Sequence, residues 1–138
     1  MTPIRPKAEY TPIIFVPIGA HMIASDIRAT IAAIALADTH GRSVTGLYDY
    51  AQARHLNLTA NVTGQAVNAI DMDRKTKMTG TLPDIFDNAR SSYIHLAGTG
   101  GKYTGFDHQS GTHFNVEVSG ETVALYDHEA ASWSQFSG

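Results

Sequence analysis

Apolar and polar residues alternate along most of this chain, and the alternation begins near Ser43. Leu56 to Val62 and Phe114 to Val118 place an apolar residue at every second position. This period is typical of antiparallel strands that bury one face and expose the other. The pattern predicts about ten short strands between residues 43 and 138, joined as a meander of hairpins.

An apolar or aromatic residue followed by an aspartate recurs five times within these strands. The aspartates are Asp49, Asp71, Asp87, Asp107 and Asp127, at spacings of 22, 16, 20 and 20 residues. An aspartate that begins a tight turn accepts hydrogen bonds from backbone N–H groups two or three residues later. We therefore interpret all five as structural turn caps in a repeated unit, with glycine-containing hairpin turns at the other end.

Residues 22–39 follow a helical period instead. Their isoleucines recur on one helical face: Ile23, Ile27, Ile31 and Ile34. Ser25 or Asp26 provides an N-cap oxygen or a first-turn acid, and Gly41 sits where a helix-ending glycine belongs. Two roles stay open for this helix. It covers one face of the sheet, or its isoleucine face (Ile27, Ile31, Ile34) mediates self-association with the help of neighbouring alanines.

The domain organisation follows from these patterns and from chain length. Residues 1–12 contain three prolines and few apolar residues, which predicts an extended arm. Residues 13–138 are expected to form one domain, with a strand and the helix in 13–42 and the repeated meander in 43–138. The predicted fold is mainly β with one N-terminal helix. The sheet either closes as a barrel or curls over the helix, because open ten-stranded sheets usually curl or split.

Composition narrows the classes of function. The 138 residues contain no cysteine, which excludes disulfides and cysteine-ligated metal sites. Ten basic and 13 acidic residues give a net charge of −3 without a basic run, which argues against nucleic-acid binding. No apolar stretch approaches the ~20 residues of a membrane span. Arg5 and Lys7 before the apolar run at Ile13 weakly resemble a signal peptide, so the compartment stays open, with the cytoplasm favoured.

Polar and aromatic residues on the outer strand face are the candidates for chemistry. The candidate ligand-binding residues are His55, Asn57, Tyr93, His95, His113, Asn115 and Trp133. In a meander one strand separates His95 from His113, which places them about 9–10 Å apart and disfavours a histidine metal site. We therefore predict no metal and no cofactor. The aromatic residues either bind a partner or stabilise neighbouring strands as cross-strand pairs.

The sequence contains no catalytic motif, such as a G-x-S-x-G nucleophile turn or an H-E-x-x-H helix. We therefore expect a non-enzymatic binding or self-assembling module that acts through protein contacts, as a homo-oligomer, with a protein or a glycan as a possible further partner. The alternative is a small-ligand-binding protein or enzyme. Its site would lie in the mouth of the barrel, lined by His95, His113 and Tyr93.

Overall fold

A computed structural model describes residues 22–138. The predicted arm (1–12) and the predicted strand (13–18) lie outside these residues. The described chain forms one helix, α1 (Ser25–His40), and ten strands. The strands are β1 Val44–Asp49, β2 Arg54–Thr63, β3 Ala66–Asp71, β4 Thr76–Thr81, β5 Asp84–Asp87, β6 Ser92–Thr99, β7 Lys102–Asp107, β8 Thr112–Ser119, β9 Thr122–Asp127 and β10 Ser132–Ser137.

The ten strands form a closed antiparallel barrel in which each strand pairs with its neighbour in sequence. The barrel closes between β1 and β10, where Tyr48 lies opposite Ser137 and Asp49 lies opposite Phe136. The prediction of a mainly β fold with one helix and a hairpin meander is confirmed. Of the two arrangements left open, the structure has the closed barrel.

The barrel has two distinct ends. We call the end that carries the turns following the five aspartates the aspartate end; its turns are residues 50–53, 72–75, 88–91, 108–111 and 128–131. The opposite end, with Gly64, Gly100, Gly101 and Gly120 in its turns, is the glycine end; all four have positive φ. Glycine adopts this backbone conformation without steric cost.

Helix α1 lies inside the barrel. Seven consecutive residues, Ile31–Ala37, are each 0% exposed, so the helix is buried around its whole circumference, as expected for a helix that is apolar on every side. It contacts β1, β2, β3, β8, β9 and β10. Arg28 bonds to Asp127 at the aspartate end, and His40 bonds to the backbone oxygen of Gly120 at the glycine end. The helix therefore crosses the barrel from one end to the other, over ~24 Å.

Small residues make room for this arrangement. The helix carries alanine at positions 29, 32, 33, 35 and 37, so the barrel wall can approach its backbone closely. On the wall, a Cβ added to Gly105 would lie 2.2 Å from Cζ of Phe114 and 2.5 Å from the backbone oxygen of His95. A glycine is therefore needed where the Phe114 ring crosses β7.

One prediction about the helix is corrected. Ile27, Ile31 and Ile34 are enclosed by the barrel, with at most 8% exposure, so they are core residues and have no free face for self-association. Of the two roles predicted for Ser25 or Asp26, the structure has the first-turn acid, Asp26, while the N-cap is Ala24, which makes no side-chain capping bond. At the other end, Gly41 has φ 64° and its N–H donates to Ala37 O, as predicted.

Candidate functional site

The five turns at the aspartate end of the described barrel share one construction. In four, the aspartate Oδ1 accepts the N–H groups two and three residues later: Asp49, Asp71, Asp87 and Asp127. In the turn that begins at Asp107, the Ser110 hydroxyl donates to the carboxylate at 2.7 Å. The fourth residue of every turn has a φ between 51° and 69°: Ala53, Lys75, Ser91, Gly111 and Ala131.

Four of the five aspartates are buried in the barrel: Asp49, Asp87, Asp107 and Asp127. Two arginines bind three of these four carboxylates. Asp127 is 0% exposed, and its Oδ2 accepts a bond of 2.6 Å from Arg28 of the helix and one of 3.0 Å from Ile23 N. Arg28 also donates to Ile23 O and to the Ser134 hydroxyl, both at 2.8 Å. This network fixes the start of the helix to β9 and β10. A buried charge is tolerated when it is paired and hydrogen-bonded in this way.

Arg90 is the second arginine that binds these carboxylates, and it joins two neighbouring hairpins. Its Nε donates to Asp87, and its two terminal nitrogens donate to both oxygens of Asp107 at 3.0 and 2.8 Å. Burial of the guanidinium lowers its pKa, but the hydrogen bonds to Asp107 and Asp87 outweigh that effect, so the pKa of Arg90 is raised. The ion pairs hold adjacent hairpins together beneath their turns.

On the outer surface of the aspartate end, aromatic side chains form pairs across neighbouring strands. The residue before each aspartate lies directly opposite the second residue of the next strand: Tyr48 with His55, Phe86 with Tyr93, Phe106 with His113, and Tyr126 with Trp133. Ring centroids in these pairs are 4.6–5.0 Å apart, which is favourable edge or tilted geometry. In the hairpin of β3 and β4 the equivalent pair is Ile70 with Lys77.

Three of the four hairpins add another ring from the turn itself. Tyr50 packs on Tyr48, His108 on Phe106, and His128 on Tyr126, at 4.8–5.0 Å. We call these rings together the aromatic band: Tyr48, Tyr50, His55, Phe86, Tyr93, Phe106, His108, His113, Tyr126, His128 and Trp133. Tyr50 and Tyr93 are each 53% exposed and Trp133 is 57% exposed. The band thus leaves large ring surfaces open to a partner.

The candidate ligand-binding residues all lie on the outer wall. His55, Tyr93, His113 and Trp133 belong to the aromatic band, while Asn57, His95 and Asn115 extend it toward the glycine end. His95 bonds to Asp84 at 3.2 Å, and Asn115 bonds to His128. His95, His113 and Tyr93, which the alternative function places at the barrel mouth, lie on the outer face of their strands, because they alternate with buried residues such as Ile94 and Phe114.

One strand, β7, separates His95 from His113, as expected for a meander. His95 and His113 both lie opposite Phe106, one on each side of its strand. Within residues 22–138 no group of three or more acidic or histidine side chains is placed to hold a metal ion. The same part of the chain has no helix long and apolar enough to cross a membrane.

The roles of the two arginines and of the rings contributed by the turns, Tyr50, His108 and His128, were not predicted from the sequence. Arg28 lies in a predicted helix and Arg90 in a predicted turn, and neither position gives a signal of burial. The turn rings had a signal, because three of the five aspartates are followed directly by an aromatic or histidine residue: Tyr50, His108 and His128.

Comparisons with protein-family models, with curated proteins and with solved structures found no match to this chain. Function is therefore inferred from the geometry and chemistry of the site itself.

Proposed function

We propose that this protein is a non-enzymatic binding module that acts through protein contacts, and that the aromatic band is its contact surface, with a second copy of the chain as the first partner. The exposure of Tyr50, Tyr93 and Trp133, each more than half open to solvent, is the observation that carries this proposal. Tyrosine and tryptophan are enriched in protein interfaces because they bury a large area while losing little side-chain entropy.

The charge distribution beside the band supports the same function. Four of the five turns at the aspartate end, residues 50–53, 88–91, 108–111 and 128–131, expose one formally charged side chain, Glu129. Arg90 of this group is turned inward to Asp87 and Asp107. Depletion of charge around exposed rings is typical of the centre of an interface. The remaining turn carries Asp73, Arg74 and Lys75, so its side of the barrel is less suited to such contact.

Self-association through the band is testable with the purified protein alone. We expect native mass spectrometry and sedimentation velocity between about 1 and 200 µM to give a multiple of the chain mass that depends on concentration. The double variant Tyr50→Ser/Tyr93→Ser should raise the dissociation constant by about tenfold or more. Met72→Ser is the matched control, since Met72 is an exposed apolar residue at the same end in the hairpin without an aromatic pair.

Two outcomes would contradict the proposal. A single-chain mass over the whole concentration range would exclude self-association. Unchanged association of the Tyr50→Ser/Tyr93→Ser variant, with thermal unfolding like that of the parent protein, would exclude the band as the contact surface. An equal effect of Met72→Ser would show that general surface apolarity, rather than the paired rings, drives association.

A further inference from the structure

A groove crosses the outer wall beside Trp133, on the face formed by β6 to β10. Its volume is about 590 Å³. One row of directly opposed residues runs through it from strand to strand: Ala97, Thr104, Asn115, Tyr126 and Trp133. Side chains in this row increase in size along it, so the outer wall, which is otherwise convex, is hollow over β6 and β7 and ends against the two rings.

The rings form one wall of the groove. Trp133 and Tyr126 have centroids 5.0 Å apart and planes inclined at 52°, so they form an open corner rather than a closed stack. Trp133 keeps 57% of its surface exposed. Cross-strand pairing explains why the two rings touch. It does not explain why the ring pair stands at the end of a row of smaller side chains, Ala97, Thr104 and Asn115.

A second wall of the groove carries two side chains of opposite charge. Lys102 and Glu117 lie directly opposite each other on β7 and β8 and both line the groove. An ammonium group donates hydrogen bonds and a carboxylate accepts them, while their charges cancel over the groove as a whole. The groove therefore suits a ligand without net charge that both donates and accepts hydrogen bonds.

We propose that this groove binds a neutral saccharide. A pyranose ring has an apolar face of C–H groups, which packs on the exposed rings of Trp133 and Tyr126. Its hydroxyl groups both donate and accept hydrogen bonds, which matches the Thr104 hydroxyl and the Lys102 and Glu117 side chains. A phosphorylated or sulfated sugar would place a negative charge beside Glu117 and fits less well. A volume of about 590 Å³ is within the range of small-ligand sites and has room for one to two sugar rings.

The site goes beyond the proposed self-association, because its floor and charged wall lie outside the aromatic band. Trp133 and Tyr126 belong to both surfaces, so a second copy bound over these rings would compete with a sugar in the groove. Trp133 is the only tryptophan of the sequence, so intrinsic tryptophan fluorescence reports on the ring wall of the groove. Because Trp133 also belongs to the aromatic band, sedimentation velocity with and without the sugar separates sugar binding from a change in self-association.

The test is a fluorescence titration with cellobiose, maltose, lactose and N,N′-diacetylchitobiose, with sialyllactose and a proline-rich peptide as contrasting probes. We expect a saturable change in Trp133 emission with at least one neutral disaccharide, at a dissociation constant of about 0.1–10 mM. Ala97→Phe, which fills the floor, and Thr104→Val, which removes only a hydroxyl, should each weaken binding by about tenfold. Met72→Ala is the matched control, because Met72 is an exposed apolar residue at the same end of the barrel, outside both the groove and the aromatic band, and it should leave the affinity unchanged.

Several results would overturn the proposal. The first is no saturable response to any neutral sugar up to about 50 mM. The second is a response confined to sialyllactose or to the peptide. The third is unaltered binding by Ala97→Phe when circular dichroism confirms its fold, because a ligand in the groove cannot share the space with that ring. An equal loss in Met72→Ala would also refute it, since the effect would then not be specific to the groove.

Discussion

The ion pair between Arg28 and Asp127 is expected to contribute strongly to the stability of the barrel. Asp127 Oδ2 accepts bonds from Arg28 at 2.6 Å and from Ile23 N at 3.0 Å. Asp127→Asn would replace this oxygen, or its partner, with an NH₂ group that faces existing donors. Hydrogen bonds to charged groups contribute about 1.5–3 kcal/mol each, and the arginine would be left buried without its counter-charge. We expect a loss of about 3–5 kcal/mol in the free energy of unfolding.

Removing the arginine instead of the aspartate should lower the free energy of unfolding by a smaller amount. Arg28→Met removes the guanidinium, but the Asp127 carboxylate keeps backbone N–H bonds from Ile23, Glu129 and Ala130 at 2.9–3.0 Å. The remaining charge is therefore partly compensated, and a loss of about 2–3 kcal/mol is expected. In the double variant Arg28→Met/Asp127→Asn, the total loss should be smaller than the sum of the single losses by about 1–3 kcal/mol.

Chemical denaturation in urea measures this cycle, followed by both Trp133 fluorescence and far-ultraviolet circular dichroism so that two-state unfolding is checked. The matched control is the exposed pair Arg42 and Glu121 at the glycine end. The cycle Arg42→Met/Glu121→Gln should show no resolvable coupling, because water screens this pair. A loss below about 1 kcal/mol in Asp127→Asn, or additive losses in the double variant, would refute the reasoning.

Three further predictions follow from the wall and the turns. Ala131 and Gly111 both have positive φ, a conformation that glycine adopts more easily than alanine. Ala131→Gly should therefore raise the free energy of unfolding by about 0.5–1 kcal/mol. Gly111→Ala should lower it by about 1–2 kcal/mol, and thermal melts measure both changes. Burial and the hydrogen bond to Asp38 raise the pKa of Tyr103 to about 12. The stability it provides is therefore complete below pH 10 and lost as the pH rises toward 12, and urea denaturation should show a steeper loss over this range than in Tyr103→Phe. Gly105→Ala should cost about 1–3 kcal/mol by forcing an added methyl against the Phe114 ring, and an unchanged melting temperature would contradict the packing assigned there.

The strands and turns could be predicted because their signals are local. Alternation over six to ten residues identifies a strand, and an aspartate with its turn identifies where the strand ends. Closure of the barrel is not local. It depends on Tyr48 and Asp49 meeting Ser137 and Phe136, residues from opposite ends of the meander, and nothing in either segment identifies the other.

The helix shows how one signal can be read too narrowly. Its isoleucines lie on one face, which predicts a helix with a single buried side. The same segment contains no charged residue from Ala29 to Ala37, and a helix that is apolar on all sides is buried on all sides. That second signal was sufficient to predict enclosure. The burial of Arg28 was not predictable, because its partner Asp127 lies 99 residues away.

The candidate site was predicted only in part, because alternation is local whereas the pairing of strands is not. Alternation correctly puts His55, Tyr93, His113 and Trp133 on the outer face. Which of these residues share a surface depends on the register between strands, and the groove beside Trp133 depends on five strands in fixed register. Register is set at each hairpin by the turn and its loop length, and the groove needs four such registers together, so it could not be identified from the pattern of any one strand.

The aspartate end reverses the polarity of the rest of the barrel. Along most of the wall, apolar residues face the core and polar residues face water, whereas here carboxylates face inward and aromatic rings face outward. One dipeptide produces both effects: alternation sends the ring of Tyr126 outward and the carboxylate of Asp127 inward. Burying Asp127 requires Arg28 as a partner, and replacing a buried ion pair with apolar residues is often neutral or stabilising. The aspartate oxygens cap their turns, which accounts for the inward carboxylates, and the outward rings that follow from alternation are what the proposed contact surface would use.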